Sequence, residues 1–151
     1  MIFDNGRGGQ RPDKLFVNKP DVPVNSFIQS NVFHTGSQIL IGSVWVFHGF
    51  YSKILNGIPR HRLIIGKIFG ATNAGVFTKV IGLLEVLLGI WAFTGLQSVG
   101  CAALQTSALV AMNTLEIILA EELLISAVGM VILNLGFVTL IWHWALFTPK
   151  P

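Results

Sequence analysis

Charge is what this chain has least of. Lys, Arg, Asp and Glu make up 11% of its 151 residues, against 52% hydrophobic residues, and the mean hydropathy is +0.68. A water-soluble domain of this length covers itself with a larger polar share, so lipid is expected to be part of the solvent. Cysteine is nearly missing as well. Cys101 stands alone in an apolar run, which excludes an internal disulfide, CxxC redox chemistry and a cysteine zinc site. The first twenty residues lack the apolar stretch of a secretory signal and carry Arg7, Arg11, Lys14 and Lys19 among Asp, Gly and Pro. Nucleotide-binding loops, Ser-His-Asp combinations and metal motifs are also missing. The net charge is +3, and the basic residues lie mostly in the N-terminal tail and one loop, a pattern that encodes membrane topology and not nucleic-acid binding.

What is present is long uncharged runs. From Leu123 to Pro149 there is no Lys, Arg, Asp or Glu. At ~1.5 Å of rise per residue, a helix over that run exceeds the ~30 Å hydrocarbon core of a bilayer. The pattern recurs upstream. Residues 1–31 read as a polar extramembrane tail, and 32–149 as an all-α, integral membrane, antiparallel four-helix bundle. The predicted helices cover 33–55, 76–96, 99–119 and 123–147, with a tight turn at Gly95–Gly100. Period-2 alternation is absent, and backbone groups in lipid must be satisfied within each segment, so helices are expected over a barrel. The last helix ends in Trp142-His143-Trp144, as an interfacial aromatic belt would.

The loop Asn56–Gly75 contains Arg60, Arg62 and Lys67, flanked by Lys53 and Lys79, and no acid. The positive-inside rule places it in the cytoplasm and both termini outside. Pro59 is suited to start a short surface helix, with Leu63, Ile64, Ile68 and Phe69 toward the membrane.

Charges inside spans are costly and each requires an explanation. Glu85 interrupts the apolar run Val80–Gly89 and shares a helix face with Gly82 and Gly89, which points it inward. It lies ~9 Å of helix beyond Lys79, while His48 lies ~7–8 Å deeper than Lys53, so a hairpin puts His48 and Glu85 level. Trp45, His48, Gly49 and Ser52 form one stripe, and Thr106, Asn113 and Glu116 another. His48, Lys53, Glu85, Asn113 and Glu116 are therefore the candidate ligand or proton site, and Gly49, Gly82 and Gly89 the packing residues. No residue is assigned a catalytic role and none a metal. The competing reading is structural: Glu85 pairs with Lys53 or His48 as a lock, Lys53 snorkels to headgroups, and Asn113 bonds between helices. Glu116, Glu121 and Glu122 then form a solvated acidic loop, and Cys101 is filler. Haem fits poorly, since His48 and His143 stand at opposite ends of the spans and His34 precedes its own.

The segment Trp45-Val46-Phe47-His48-Gly49-Phe50-Tyr51-Ser52-Lys53 and the run Gly82-Leu83-Leu84-Glu85-Val86-Leu87-Leu88-Gly89 resemble the DoxX-like family of small four-helix membrane proteins. The resemblance spans about 37–147 and leaves the tail outside. It implies a compact four-helix bundle and marks Gly49, Lys53, Gly82 and Glu85. Some relatives are associated with quinone-linked sulfur oxidation, so the resemblance makes a quinone the cofactor to test. The expected role is an accessory or subunit of a membrane redox or stress-response system, not an enzyme acting alone. The expected setting is a bacterial-type inner or plasma membrane, with a membrane protein partner or a second copy alongside the bilayer. The alternatives are a small proton-coupled transporter using Glu85 and a purely structural assembly subunit.

Overall fold

The computed structural model describes residues 31–147; the tail before Asn31 and the final four positions lie outside the described residues. All regular structure among the described residues is helical. Helix α1 covers Asn31–Val46 and runs directly into a π-helical stretch, Phe47–Ile54. A short helix α2, Pro59–Phe69, follows, with its proline in the first turn, where a missing N–H costs nothing. Then come α3 (Ala74–Thr94), α4 (Ser98–Leu119) and α5 (Ala127–Leu146). The first long helix is already formed at Asn31, ahead of the expected 33. The last starts at Ala127 and not at 123, because Glu121–Leu123 coils into a 3-10 turn and Ser126 accepts from the Gly129 N–H as an N-cap.

Among the described residues, three helices are long and apolar enough to cross a membrane: α3 with its preceding turn (Ala71–Thr94), α4 and α5. Their outer faces stay apolar, with Leu133 75% and Ile118 72% exposed. Such surfaces are not tolerated in water and are ordinary in lipid.

Pairing between helices is antiparallel. Along α1 and α3, Gly42 meets Gly89 and, seven residues on, Gly49 meets Gly82. Along α4 and α5, Ser98 Oγ donates to the Ala145 carbonyl (3.2 Å), Trp142 Nε1 to Thr106 Oγ1 (3.0 Å), and Asn134 Nδ2 to Asn113 Oδ1 (2.8 Å). The buried core gathers Ile41, Trp45, Leu88, Ala92, Cys101, Ala102, Ile141 and Trp144 from α1, α3, α4 and α5. The α3–α4 turn closes the end nearest this core. Gly95 takes the left-handed conformation (φ 67°) that ends α3, and Gln97 follows at φ 48°. Gln38 of α1 donates to the carbonyls of Ala92 and Phe93 (3.0 and 2.9 Å), joining the Gly95 N–H at the first and supplying the second, which the helix end leaves open.

Candidate functional site

At the opposite end, α1 changes pitch. The π-helical stretch buries Gly49 together with two consecutive residues, Ser52 and Lys53, against α3. π-Helical turns widen the helix and frequently occur at functional sites. The close approach is made by glycine. A Cβ on Gly82 would stand 2.7 Å from the Gly49 carbonyl and 2.9 Å from the Lys53 Cβ, and one on Gly49 would strike the Gly82 carbonyl. A Cβ on Gly89 would come within 2.8 Å of the Gly42 carbonyl. Only backbones stripped of side chains can touch there.

That contact carries Lys53 and Glu85 into the interior, where they are 3% and 4% exposed. The Lys53 ammonium donates to Glu85 Oε1 as a buried salt bridge. The other oxygen, Oε2, is buried without a hydrogen-bond partner among the described residues. A buried lone acceptor is costly unless something supplies a donor.

Two cavities flank this pair. One, of about 390 Å³, lies between α1, α3 and α4 and is lined by Trp45, Ile81, Leu84, Glu85, Leu87, Leu88, Trp91, Leu104, Ala108 and Met112. Glu85 is its one charged residue. The other, of about 500 Å³, opens beneath α2 and carries the polar groups: His48, Lys53, Arg60, His61, Asn113, Glu116, Ser126 and Asn134, with Ile64, Met130 and Leu133 among its apolar walls. Met112 borders both.

The five residues singled out in the sequence are thus divided. Lys53 and Glu85 bond directly. His48 is exposed in the polar cavity, its ring 6.0 Å from that of His61, and it makes no hydrogen bond to either member of the pair. Asn113 is engaged with Asn134. Glu116 faces the polar cavity instead of joining a solvated acidic loop; Glu121 and Glu122 are exposed, and Glu122 pairs with Lys67 at 2.9 Å. That hydrogen bond holds the Glu122 carboxyl below its ordinary range. Helix α2 departs from the expectation at Ile64. Ile64 and Ile65 are buried against the protein, while Leu63 and Phe69 stay exposed. This brings Arg60 and His61 to the cavity mouth. Burial, and then the charges of Lys53, His48 and Arg60, push the His61 imidazole down to about 4.

Several residues that shape the region escape a reading by charge. Gln105 is fully buried, accepts from Trp45 Nε1 (2.7 Å) and donates to Cys101 Sγ (3.0 Å). Its position one turn after Cys101, on the face of Ala102, was the available signal. Asn134 sits in an otherwise apolar helix, where an amide needs a partner. No group of His, Cys, Asp or Glu among the described residues could hold a metal ion.

No curated protein and no solved structure matches the chain. The DoxX-like family does, over residues 42–142, a stretch that contains the glycine crossing, the ion pair and both cavities. With three helices fit to cross a bilayer among the described residues, the chain is a membrane protein and belongs to the DoxX-like family.

Proposed function

We propose that the chain is a four-helix membrane bundle, with α1 and its π-helical extension as the remaining span, and that it serves as an accessory subunit of a membrane redox system by holding a quinone-type ligand. The observation that carries this reading is the apolar cavity with Glu85 at its wall and Oε2 without a donor. Ligand sites of this size are mostly apolar with a few placed polar groups. Trp45 and Trp91 offer ring faces, and an unpaired carboxylate oxygen favours a ligand that donates, such as the hydroxyl of a quinol. The flanking Leu84, Leu87 and Leu104 are exposed on α3 and α4, so a lipid-soluble molecule reaches the cavity from the bilayer. The acid-free loop with α2 is assigned to the cytoplasmic side of an inner or plasma membrane, and a partner subunit or second copy completes the system.

Organic extraction of the protein purified in mild detergent, followed by mass spectrometry, tests the ligand. Wild type is expected to yield about one quinone or quinol per chain, and Ala108→Trp, which fills the cavity, to yield at least tenfold less. Wild type that retains native phospholipid but no quinone overturns the reading. A second reading, a purely structural subunit, is favoured by one observation: Glu85 already has its counter-charge in Lys53. In that case both proteins come out empty and Ala108→Trp changes only stability.

A further inference from the structure

The polar cavity beneath α2 is not needed for a quinone, and its chemistry points to another ligand. Its charged residues are Lys53, Arg60 and Glu116. Lys53 is neutralised by Glu85. Arg60 and Glu116 form no ion pair or side-chain hydrogen bond among the described residues. The cavity therefore presents one net cation and one net anion that leave each other unpaired, with imidazoles and amides between them. Charges left so in a partly enclosed space call for a partner that carries both signs.

Position and walls narrow the class. Arg60 lies in the first turn of α2, just after the π-helical end of α1, and so stands where headgroups begin. Below it the walls turn apolar, with Met130, Leu133 and Ile125, and the last two are 75% and 87% exposed toward the surroundings. A molecule with a dipolar head and an apolar tail matches that gradient. Quaternary ammonium groups are recognised by cages of Trp, Tyr or Phe, and this lining has none of those rings. It offers instead a carboxylate, which accepts N–H hydrogen bonds, and so suits a primary ammonium.

We propose that this cavity is a lipid site for a phosphoethanolamine headgroup, with the phosphate at Arg60 and the ammonium at Glu116. Arg60 is suited to the phosphate because its planar fork binds two oxygens at once. His61, neutral at physiological pH, donates a hydrogen bond without adding charge. A purely anionic lipid would satisfy Arg60 but stand against the Glu116 carboxylate. The site is separate from the apolar cavity, and it stands or falls independently of the quinone reading.

The test uses full-length protein, stripped of lipid and reconstituted into phosphatidylcholine discs with equal fractions of phosphatidylethanolamine and phosphatidylglycerol. Lipid retained on the protein after gentle detergent transfer is counted by native mass spectrometry. Wild type is expected to retain phosphatidylethanolamine about tenfold over either competitor. Arg60→Ala should lose that retention and Arg60→Lys recover part of it. Glu116→Gln should reverse the preference toward phosphatidylglycerol, a change that general loosening of the fold would not produce. Arg60 is exposed and Glu116 unbonded, so the variants are expected to fold, and an unchanged melting temperature verifies it. Soluble ethanolamine phosphate should not displace the lipid. Equal or greater retention of phosphatidylglycerol by wild type, no change of preference in Glu116→Gln, or displacement by the soluble headgroup overturns the proposal. Quinone recovered from Arg60→Ala and Glu116→Gln purified in mild detergent, without lipid stripping, should match wild type.

Discussion

The α1–α3 and α4–α5 contacts are both antiparallel helix pairs, yet they are held together in different ways. Between α1 and α3, glycines let backbone meet backbone at two levels, Gly42 with Gly89 and Gly49 with Gly82. Between α4 and α5 the backbones stay further apart, and the gap is bridged by Ser98, the Thr106–Trp142 bond and the Asn113–Asn134 bond. The close pair is rigid enough to bury a charged couple. The bridged pair leaves room beside it, and the polar cavity opens there. In lipid there is little hydrophobic drive between helices, so packing and polar bonds must do what water does elsewhere. One pair relies mostly on the first and the other mostly on the second.

The sharpest way to break this contrast is to remove one charge from the close pair. Lys53→Met leaves Glu85 buried without its counter-charge, and the expected loss is about 3–5 kcal/mol. Lys53→Met combined with Glu85→Leu should recover most of it, since no charge then remains to be compensated. On the bridged side, Asn113→Ala removes one partner of a half-buried amide pair and should cost only about 1 kcal/mol. Unfolding of each variant in mixed micelles measures all three. If Asn113→Ala proves as damaging as Lys53→Met, the two interfaces are not different in kind.

A smaller effect separates glycines that permit contact from glycines that merely occur. Gly82→Ala places a methyl against the Gly49 carbonyl and Lys53, and should destabilise by about 1–3 kcal/mol through overpacking. Gly136→Ala has open space around it and should be neutral or stabilising by up to about 1 kcal/mol, because alanine is the better helix former. Melting temperatures of the two variants should therefore move apart. A neutral Gly82→Ala would mean that α1 and α3 can separate without cost.

Much of this arrangement was legible in the sequence, for reasons that differ by residue. The helices show because uncharged runs of bilayer length have few other uses. Gly82, Glu85 and Gly89 show because two glycines and an acid at helical spacing share a face, whereas depth counting from Lys53 and Lys79 set His48 level with Glu85 and left Lys53 shallower than the ion pair that forms. His48 was misjudged in its contacts. The π-helical turn beginning at Phe47 changes the residues per turn, and no α-helical spacing rule anticipates where His48 then points. The stripe of Trp45, Gly49 and Ser52 is buried, whereas His48 is exposed to the cavity. Helix α2 was misjudged in rotation at Ile64, which turns inward with Ile65, while Leu63 and Phe69 stay on the outer face as expected. Ile64 and Ile68 are equally apolar candidates for the membrane, and the choice between lipid and protein depends on Ala74 and its neighbours, which pack only in three dimensions. That rotation is also what brings Arg60 and His61 to the cavity, so the headgroup site was hidden until the fold was known.

His61 supplies the smallest and most diagnostic effect, because it reports whether the open end behaves as an interior or as a surface. Its imidazole is held down to about 4 in the folded chain, against 6.5 ordinarily. The unfolded chain therefore takes up a proton first as pH falls. Where the unfolded state binds more protons, stability rises with pH. The contribution is thus whole above pH 6.5 and is lost progressively as the pH falls from there toward 4. Between pH 7.5 and 5.5 the expected loss attributable to His61 is about 1 kcal/mol. His61→Gln cannot titrate and should show a correspondingly shallower decline, so melting curves of both proteins at the two pH values isolate the residue. Parallel declines in wild type and variant would mean that His61 is solvated like a surface group and that the cavity mouth is open to water at full depth. The converging charges of Lys53, His48 and Arg60 would then be screened, and the open end would differ from the closed one in shape alone and not in its electrostatics.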